Sequence, residues 1–174
     1  MEEPDPAALR AAAGGDVAAF TALVRSYQAA VWRFVRHLVG DAALAEDLTQ
    51  ETFLRVHRGL AGFDGRSRFT TWLFRVARNT AIDELRARER RDRLSLPEAT
   101  TAPSPEHGHE LRAALDSLPV DLREAILAVE VLGVSYADAA VMLDIPAGTV
   151  KSRVHRARER LVRWLDAEEA AGDL

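Results

Sequence analysis

Residues 145–161, IPAGTVKSRVHRARERL, begin with a Pro-and-Gly turn and continue as a basic segment with helical spacing. A basic helix after a turn can be a solvated surface helix, a membrane-surface helix or a helix that reads DNA. At about 100° per residue, five apolar side chains share one stripe, which is expected to face a core. These five are Val150, Val154, Ala157, Leu161 and Leu165.

The segment before this turn predicts a short helix. Ser135 with Asp138 is a capping signature at its start, and Asp144 lies in a turn that tolerates Asp. The apolar face of this helix is Tyr136, Ala139, Ala140 and Leu143. A short helix, a tight turn and a longer basic helix form the helix-turn-helix plan, whose second helix enters the major groove. Base contacts are expected from Thr149, Ser152, His155 and Arg156, and phosphate contacts from Lys151, Arg153 and Arg158.

The distribution of charge supports DNA binding over a merely solvated helix. Residues 66–93 carry 9 Arg against 4 acidic residues, and residues 148–164 carry 6 basic residues against 1. The stretch between them, residues 94–147, carries 2 Arg against 9 acidic residues. Two basic blocks separated by an acidic one predict two anion-binding surfaces. A membrane-surface helix is disfavoured because the basic helix carries a single aromatic residue, Trp164, and needs its apolar stripe to close a small domain.

All periodic segments predict helices, so the expected fold class is all-α, with two small helical domains joined by a flexible linker. The first domain is expected over 10–91, the linker over 92–108, the helix-turn-helix domain over 109–167 and an acidic tail over 168–174. In the second domain one helix carries Leu111, Leu115 and Leu118, and the next is expected to begin at a capping box formed by Asp121 and Glu124.

No cofactor or metal site is expected. The chain has no cysteine, which excludes disulfides and thiolate ligands and suits a reducing cytoplasm. His107 and His109 lie in the linker without further ligands. No apolar stretch is long enough to predict a membrane span.

The predicted second helix, AALAEDLTQETFLRVHRGL, has a face suited to a protein partner. Asp47, Gln50 and Leu54 share that face, with Glu51 and Phe53 at its edges. Acidic and amide groups around exposed apolar side chains are typical of an interface. The alternative is a solvated helix face with Phe53 buried in the bundle.

The predicted third helix, FTTWLFRVARNTAIDELRARERR, has more than one apolar face and between them a polar strip. Arg75, Asn79 and Arg86 form this strip, which Trp72 borders. An Asn side chain offers both a donor and an acceptor to a base edge, and Arg side chains can hold phosphates or stack on bases. Trp72 is either a stacking platform or, as favoured by its place beside a core stripe, a packed side chain.

Two motif blocks resemble the extracytoplasmic-function sigma factors of bacterial RNA polymerase. The first, over 45–79, contains AEDLTQETFLRVHRGL and FTTWLFRVARN; the second, over 115–158, ends in the helix-turn-helix. The resemblance implies a first domain that binds the polymerase clamp and recognises and melts the minus-ten promoter element. It implies a second domain that binds the minus-thirty-five element as duplex, and control by an anti-sigma factor.

The resemblance also implies roles for individual residues. The loop from Gly62 to Arg68 matches the segment where the family holds an unstacked base. The polymerase-binding residues implied are Asp47, Gln50, Glu51, Phe53 and Leu54. The minus-ten residues implied are Arg66, Arg68, Arg75, Asn79 and Arg86. His155 occupies a variable base-reading position.

Two other classes of protein remain as alternatives. An autonomous helix-turn-helix regulator would bind duplex DNA without polymerase, but it would not need a second basic domain or an acidic docking face. An enzyme has little support, because the five His are scattered and no nucleophile–base pair or phosphate loop is present. No catalytic residues are expected.

Overall fold

A computed structural model describes residues 2–94 and 109–172, and within these ranges the chain forms helices and no strand. The all-α fold class is confirmed. None of the described helices has both the length and the apolar content to cross a bilayer. In chain order the elements are α1 (Pro6–Ala13), α2 (Val17–Val39), α3 (Ala42–Gly59), a 3₁₀ turn (Leu60–Gly62), α4 (Phe69–Leu94), α5 (His109–Asp116), α6 (Val120–Ile126), a π-helical turn (Leu127–Val131), α7 (Tyr136–Leu143) and α8 (Ala147–Gly172).

The first domain is a bundle of α1 to α4. Asp5, Asp16 and Asp41 cap the first three helices through side-chain oxygens that accept backbone N–H groups. Gly40 ends α2 in the left-handed region, with φ of 83°, which a residue with a Cβ adopts only at a cost. At the centre, Phe34 and Phe74 meet edge to face with ring centroids 5.6 Å apart.

The second domain contains the predicted helix-turn-helix. Ser135 accepts the backbone N–H of Asp138 at 3.0 Å and so caps α7, as the sequence predicts. Asp144 takes the left-handed conformation with φ of 57° and turns the chain from α7 into α8. Val150, Val154 and Ala157 have no exposed surface. The predicted apolar stripe of α8 therefore faces the core along its first three turns.

The two domains pack against each other around one continuous apolar core. Helix α7 lies against α4, and α6 with its π-helical turn lies against α2. The Arg123 side chain on α6 donates to the backbone oxygen of Leu38 at 3.0 Å. A cationic donor at this position satisfies a free carbonyl at the end of α2.

The structure departs from the predicted boundaries in three places. An additional helix, α1, begins at Pro6 and spans residue 10, where the first domain was expected to begin. Helix α4 continues to Leu94 and so enters the predicted linker, of which residues 95–108 lie outside the described ranges. Helix α8 continues to Gly172 through most of the predicted acidic tail.

The predicted cap at Asp121 and the predicted core positions of Leu165 and Leu111 are wrong. Asp121 does not cap α6, because Pro119 occupies the cap position and the carboxylate of Glu124 binds arginines elsewhere. Leu165 is 47% exposed and Leu111 58% exposed, so neither is a core residue of the second domain. Leu165 is exposed because α8 extends beyond the helices that cover the first part of its apolar stripe.

Candidate nucleic-acid and protein interfaces

The outward face of α8 is open. Ser152, His155 and Arg156 are exposed, and Thr149 is half-buried beside the turn. His155 lies 3.5 Å from Glu159, and its side chain remains 74% exposed. This face therefore presents a hydroxyl, an imidazole and a guanidinium to solvent, groups that are able to contact base edges.

The three predicted phosphate-binding side chains of α8 differ in their surroundings. Lys151 is exposed, and Arg158 is exposed while paired with Glu130. Arg153 instead points inward, where its guanidinium lies 3.3 Å from Glu124 and 3.6 Å from Asp121. In this arrangement Arg153 is not placed to contact DNA, which corrects its predicted role.

The polar strip on α4 is also accessible. Arg75, Asn79 and Arg86 are all exposed along one side of the helix. Trp72 is half-buried and packs between Phe63 and Phe69, with ring centroids 5.2 Å and 5.9 Å away. Trp72 is thus a packed side chain rather than an open stacking platform.

The loop before α4 carries the remaining two minus-ten candidates. Arg66 is 89% exposed and pairs with Asp64 at 2.9 Å. Arg68 lies 3.3 Å from the carboxylate of Glu3, which also accepts backbone N–H groups at the start of α4. This contact could not be found from the sequence, because 66 residues separate Glu3 from Phe69 and no local pattern links them.

The predicted protein interface on α3 is largely accessible. Asp47 and Gln50 are exposed, and Leu54 is 52% exposed. Glu51 pairs with Arg55 at 2.8 Å, and Arg55 pairs in turn with Asp83 of α4 at 3.2 Å. Phe53 is the exception: its side chain is 8% exposed and belongs to the core, so it does not lie on this face.

One buried carboxylate connects the two predicted DNA-reading helices. Glu124 on α6 is 2% exposed. Arg78 of α4 binds it in a two-pronged manner, at 2.8 Å and 3.1 Å, while Arg153 of α8 donates to the same group at 3.3 Å. A buried charge is tolerated only when it is paired in this way. The sequence patterns assigned neither Arg78 nor Glu124 to such a contact.

A histidine on α2 lies near an arginine of the second domain. Burial lowers the pKa of His37 from its ordinary value, and the neighbouring guanidinium groups of Arg36, Arg112 and Arg33 lower it further. Arg112 lies on α5 and therefore belongs to the other domain. The neutral form of His37 is thus favoured where the domains meet.

Comparisons with known protein families match both domains in order. Residues 23–91 match the model for sigma-70 region 2, and residues 108–161 match a model for sigma-70 region 4. The chain is 38% identical to the ECF RNA polymerase sigma factor SigC of Mycobacterium tuberculosis, covering 92% of this chain and 91% of that protein. It is 39% identical to the ECF RNA polymerase sigma-E factor of Escherichia coli, covering 84% and 86% respectively.

Two solved structures are similar across both domains. The sigma factor RpoE of Bartonella quintana, in complex with the anti-sigma factor NepR, matches with a TM-score of 0.75 and 32% identity over 84% of this chain and 96% of that one. CnrH, in complex with the cytosolic domain of CnrY, matches with a TM-score of 0.72 and 26% identity over 92% and 96%.

Proposed function

The chain belongs to the extracytoplasmic-function (ECF) family of RNA polymerase sigma factors, and on this premise we propose which of its surfaces meet polymerase and promoter DNA. As a member of this family it binds core RNA polymerase and directs promoter-specific initiation of transcription. The family consists of non-enzymatic initiation factors, so polymerase supplies the chemistry. We place the action of the protein with polymerase in the cytoplasm.

The polymerase-binding face comprises Asp47, Gln50, Glu51 and Leu54 on α3. Its support is the exposure of Leu54, a large apolar side chain at the protein surface with acidic and amide groups around it. Such a mixture gives an apolar contact with polar groups that fix orientation. Phe53 is not part of this face; it lies in the core and supports α3 there.

The promoter-reading surfaces lie on the two basic helices. The first domain, residues 10–91, meets the melted minus-ten element through Arg66, Arg68, Arg75, Asn79 and Arg86. The second domain, residues 109–167, meets the minus-thirty-five duplex through Thr149, Ser152, His155 and Arg156, with Lys151 and Arg158 on phosphates. The observation that supports the second assignment is the open face of α8, which the turn at Asp144 presents away from the core.

The domains separate when the protein reads a promoter. The two elements lie about 25 base pairs apart, which at about 3.4 Å per base pair is roughly 85 Å. Here Arg78 of α4 and Arg153 of α8 bind the same carboxylate, so the two helices lie close enough for their side chains to meet on one group. Fourteen residues join Leu94 to His109, and a chain of that length reaches at most about 50 Å. That reach, added to the size of the domains, permits the required separation.

The arrangement with the domains in contact suits regulation by an anti-sigma factor. The similar RpoE structure is a complex with an anti-sigma factor, and the likeness extends over 84% of this chain. A partner that binds the packed form more tightly than the separated form would keep the protein from reading both elements. We propose that an anti-sigma factor controls this protein in that way.

The central test reverses the docking face. Asp47→Lys combined with Gln50→Ala is expected to lower affinity for core polymerase by at least tenfold, measured by co-elution and by competition for core enzyme. Duplex binding by the second domain should persist. A matched variant, Glu89→Lys with Gln28→Ala, likewise reverses one acidic charge and truncates one glutamine at exposed positions elsewhere and should bind core normally. Equal affinity of both double variants for polymerase would rule out the α3 face.

A further inference from the structure

A segment that precedes the first helix holds the start of α4. The carboxylate of Glu3 accepts the backbone N–H of Phe69 at 2.8 Å and that of Thr70 at 3.2 Å. The hydroxyl of Thr70 also donates to Glu3, and the guanidinium of Arg68 lies 3.3 Å away. Four donors from the beginning of α4 and the residue before it therefore converge on one side chain.

The position of Glu3 is fixed from both sides. Tyr27 on α2 donates its hydroxyl to the backbone oxygen of Glu2 at 2.8 Å, and Asp5 caps α1. The ring of Tyr27 also packs on that of Phe69, with centroids 5.6 Å apart. Burial raises the pKa of the Tyr27 hydroxyl, and the charges of Glu3 and Glu2 raise it further. Tyr27 thus stays protonated and able to donate at neutral pH.

The charge of Glu3 matches what the start of a long helix requires. The first N–H groups of α4 have no partner within the helix, and its N-terminal end carries a partial positive charge. A carboxylate satisfies these donors and stabilises the helix end. Fixing Phe69 and Arg68 in turn fixes the end of the loop from Gly62 to Arg68, which enters α4 directly.

We propose that Glu3 is a positioning residue for single-strand promoter recognition, a role that rests on the proposed assignment of the minus-ten surface. Glu3 sets the direction in which the loop over 62–68 enters α4, and it holds Arg68 against the helix start. The end of the loop that is proposed to hold an unstacked base is thereby fixed before DNA arrives. Without the carboxylate, the first turn of α4 frays and the base must be held by a loop with many conformations.

Two adjacent glutamates provide a matched comparison. Glu3→Gln and Glu2→Gln remove the same charge, but Glu2 is exposed and accepts the Tyr27 hydroxyl through its backbone oxygen, which the substitution retains. Each full-length variant is assembled with core polymerase. Its affinity is measured for a single-stranded oligonucleotide that carries the minus-ten sequence, identified beforehand by run-off mapping, and for versions with each base replaced.

Glu3→Gln is expected to weaken single-strand binding at least fivefold and to reduce discrimination at the held base. Its affinities for core polymerase and for the minus-thirty-five duplex should change less than twofold, and Glu2→Gln should resemble the wild type in every assay. Thr70→Val removes one donor to Glu3 and should cause a smaller loss of the same kind. Thr70→Ser keeps the hydroxyl and should restore binding.

Three results would decide against parts of this proposal. A parallel fall of all three affinities, measured well below the unfolding midpoint, would show that Glu3 only stabilises the fold. Equal behaviour of Glu3→Gln and Glu2→Gln would show that the cap has no role in recognition. Failure of the wild-type holoenzyme to bind the single strand would instead overturn the assignment of the minus-ten surface itself.

Discussion

Helices α4 and α8 have the same length, 26 residues each, and both are basic, yet they differ in how the rest of the chain packs against them. The outward face of α8 is open to solvent, and its opposite stripe is buried in one domain. Helix α4 is held at its first turn by Glu3, packed by α2 and α3 in its own domain and by α7 from the other, and tied through Arg78 to Glu124.

The difference follows from what each helix has to do. A duplex already displays its base edges in the major groove, so α8 needs only a preformed face. A melted strand must have a base unstacked, which costs a few kcal/mol, so α4 and its loop need a rigid support. The tie to Glu124 means that this support is connected to the second domain until the domains separate.

The largest expected effect comes from removing the carboxylate of Glu124, which connects α4 to the second domain. Glu124→Gln leaves Arg78 and Arg153 without a carboxylate at a buried position, and we expect a loss of about 2–4 kcal/mol in the free energy of unfolding. This loss is at the lower end for buried pairs because the side chains of Arg78 and Arg153 remain 19% and 20% exposed. Denaturant unfolding measures the loss, and small-angle scattering should show a larger radius of gyration.

Glu130 supplies the control for this change. It pairs with Arg158 at the surface, where its side chain is 46% exposed, so Glu130→Gln should lower the unfolding free energy far less than Glu124→Gln and leave the radius unchanged. If both glutamine variants behaved alike, Glu124 would not hold the domains together. The contrast between a tied α4 and an open α8 would then be lost.

The next effect tests the open face of α8. Arg156→Ala is expected to weaken duplex binding by about 1–3 kcal/mol and to relax base preference at one position of the upstream element. Titration with base-substituted duplexes measures both. A uniform loss across all sequences would instead identify Arg156 as a phosphate contact.

Arg153 is the natural partner for that experiment because it lies three residues earlier on the same helix but points inward. Arg153→Gln should lower the unfolding free energy through the loss of its contact with Glu124, while duplex affinity stays as in the wild type for every base-substituted sequence. A uniform loss of duplex affinity with Arg153→Gln would show that Arg153 leaves Glu124 and reaches a phosphate after the domains separate.

The same two helices show which parts of the molecule could be predicted from the sequence. The stripe Val150, Val154 and Ala157 was identified correctly because the first half of α8 packs on one side, so a single helical period describes it. Helix α4 has neighbours on several sides, and its pattern predicted two apolar faces without saying which elements cover them. The caps at Asp16, Asp41 and Ser135 were predictable because donor and acceptor are three residues apart.

The contacts that could not be predicted are the ones between distant residues. Asp121 and Glu124 have the spacing of a capping box, but the carboxylate of Glu124 binds Arg78, which is 46 residues away in the chain. Glu3 similarly satisfies donors that a local pattern would leave to a neighbouring Ser or Asp. Phe53 could not be assigned because an apolar residue at the edge of a face can turn to either side. In each case the outcome depends on which helices pack together.

The smallest expected effect is a dependence of folding stability on pH, through His37. Its pKa in the packed form is lowered, chiefly by burial, from an ordinary value of about 6.5. As pH falls through that value, the unfolded chain takes up a proton that the packed form resists, so stability is lost on the acid side and is fully present above it. Unfolding free energy measured from pH 8 to pH 5.5 should therefore decline more steeply in the wild type than in His37→Asn.

Because burial is the main cause of the lowered pKa, part of the difference between the wild type and His37→Asn should persist in high salt, which screens the arginines but not the loss of solvation. A difference that disappeared in high salt would instead assign the effect to Arg36, Arg112 and Arg33.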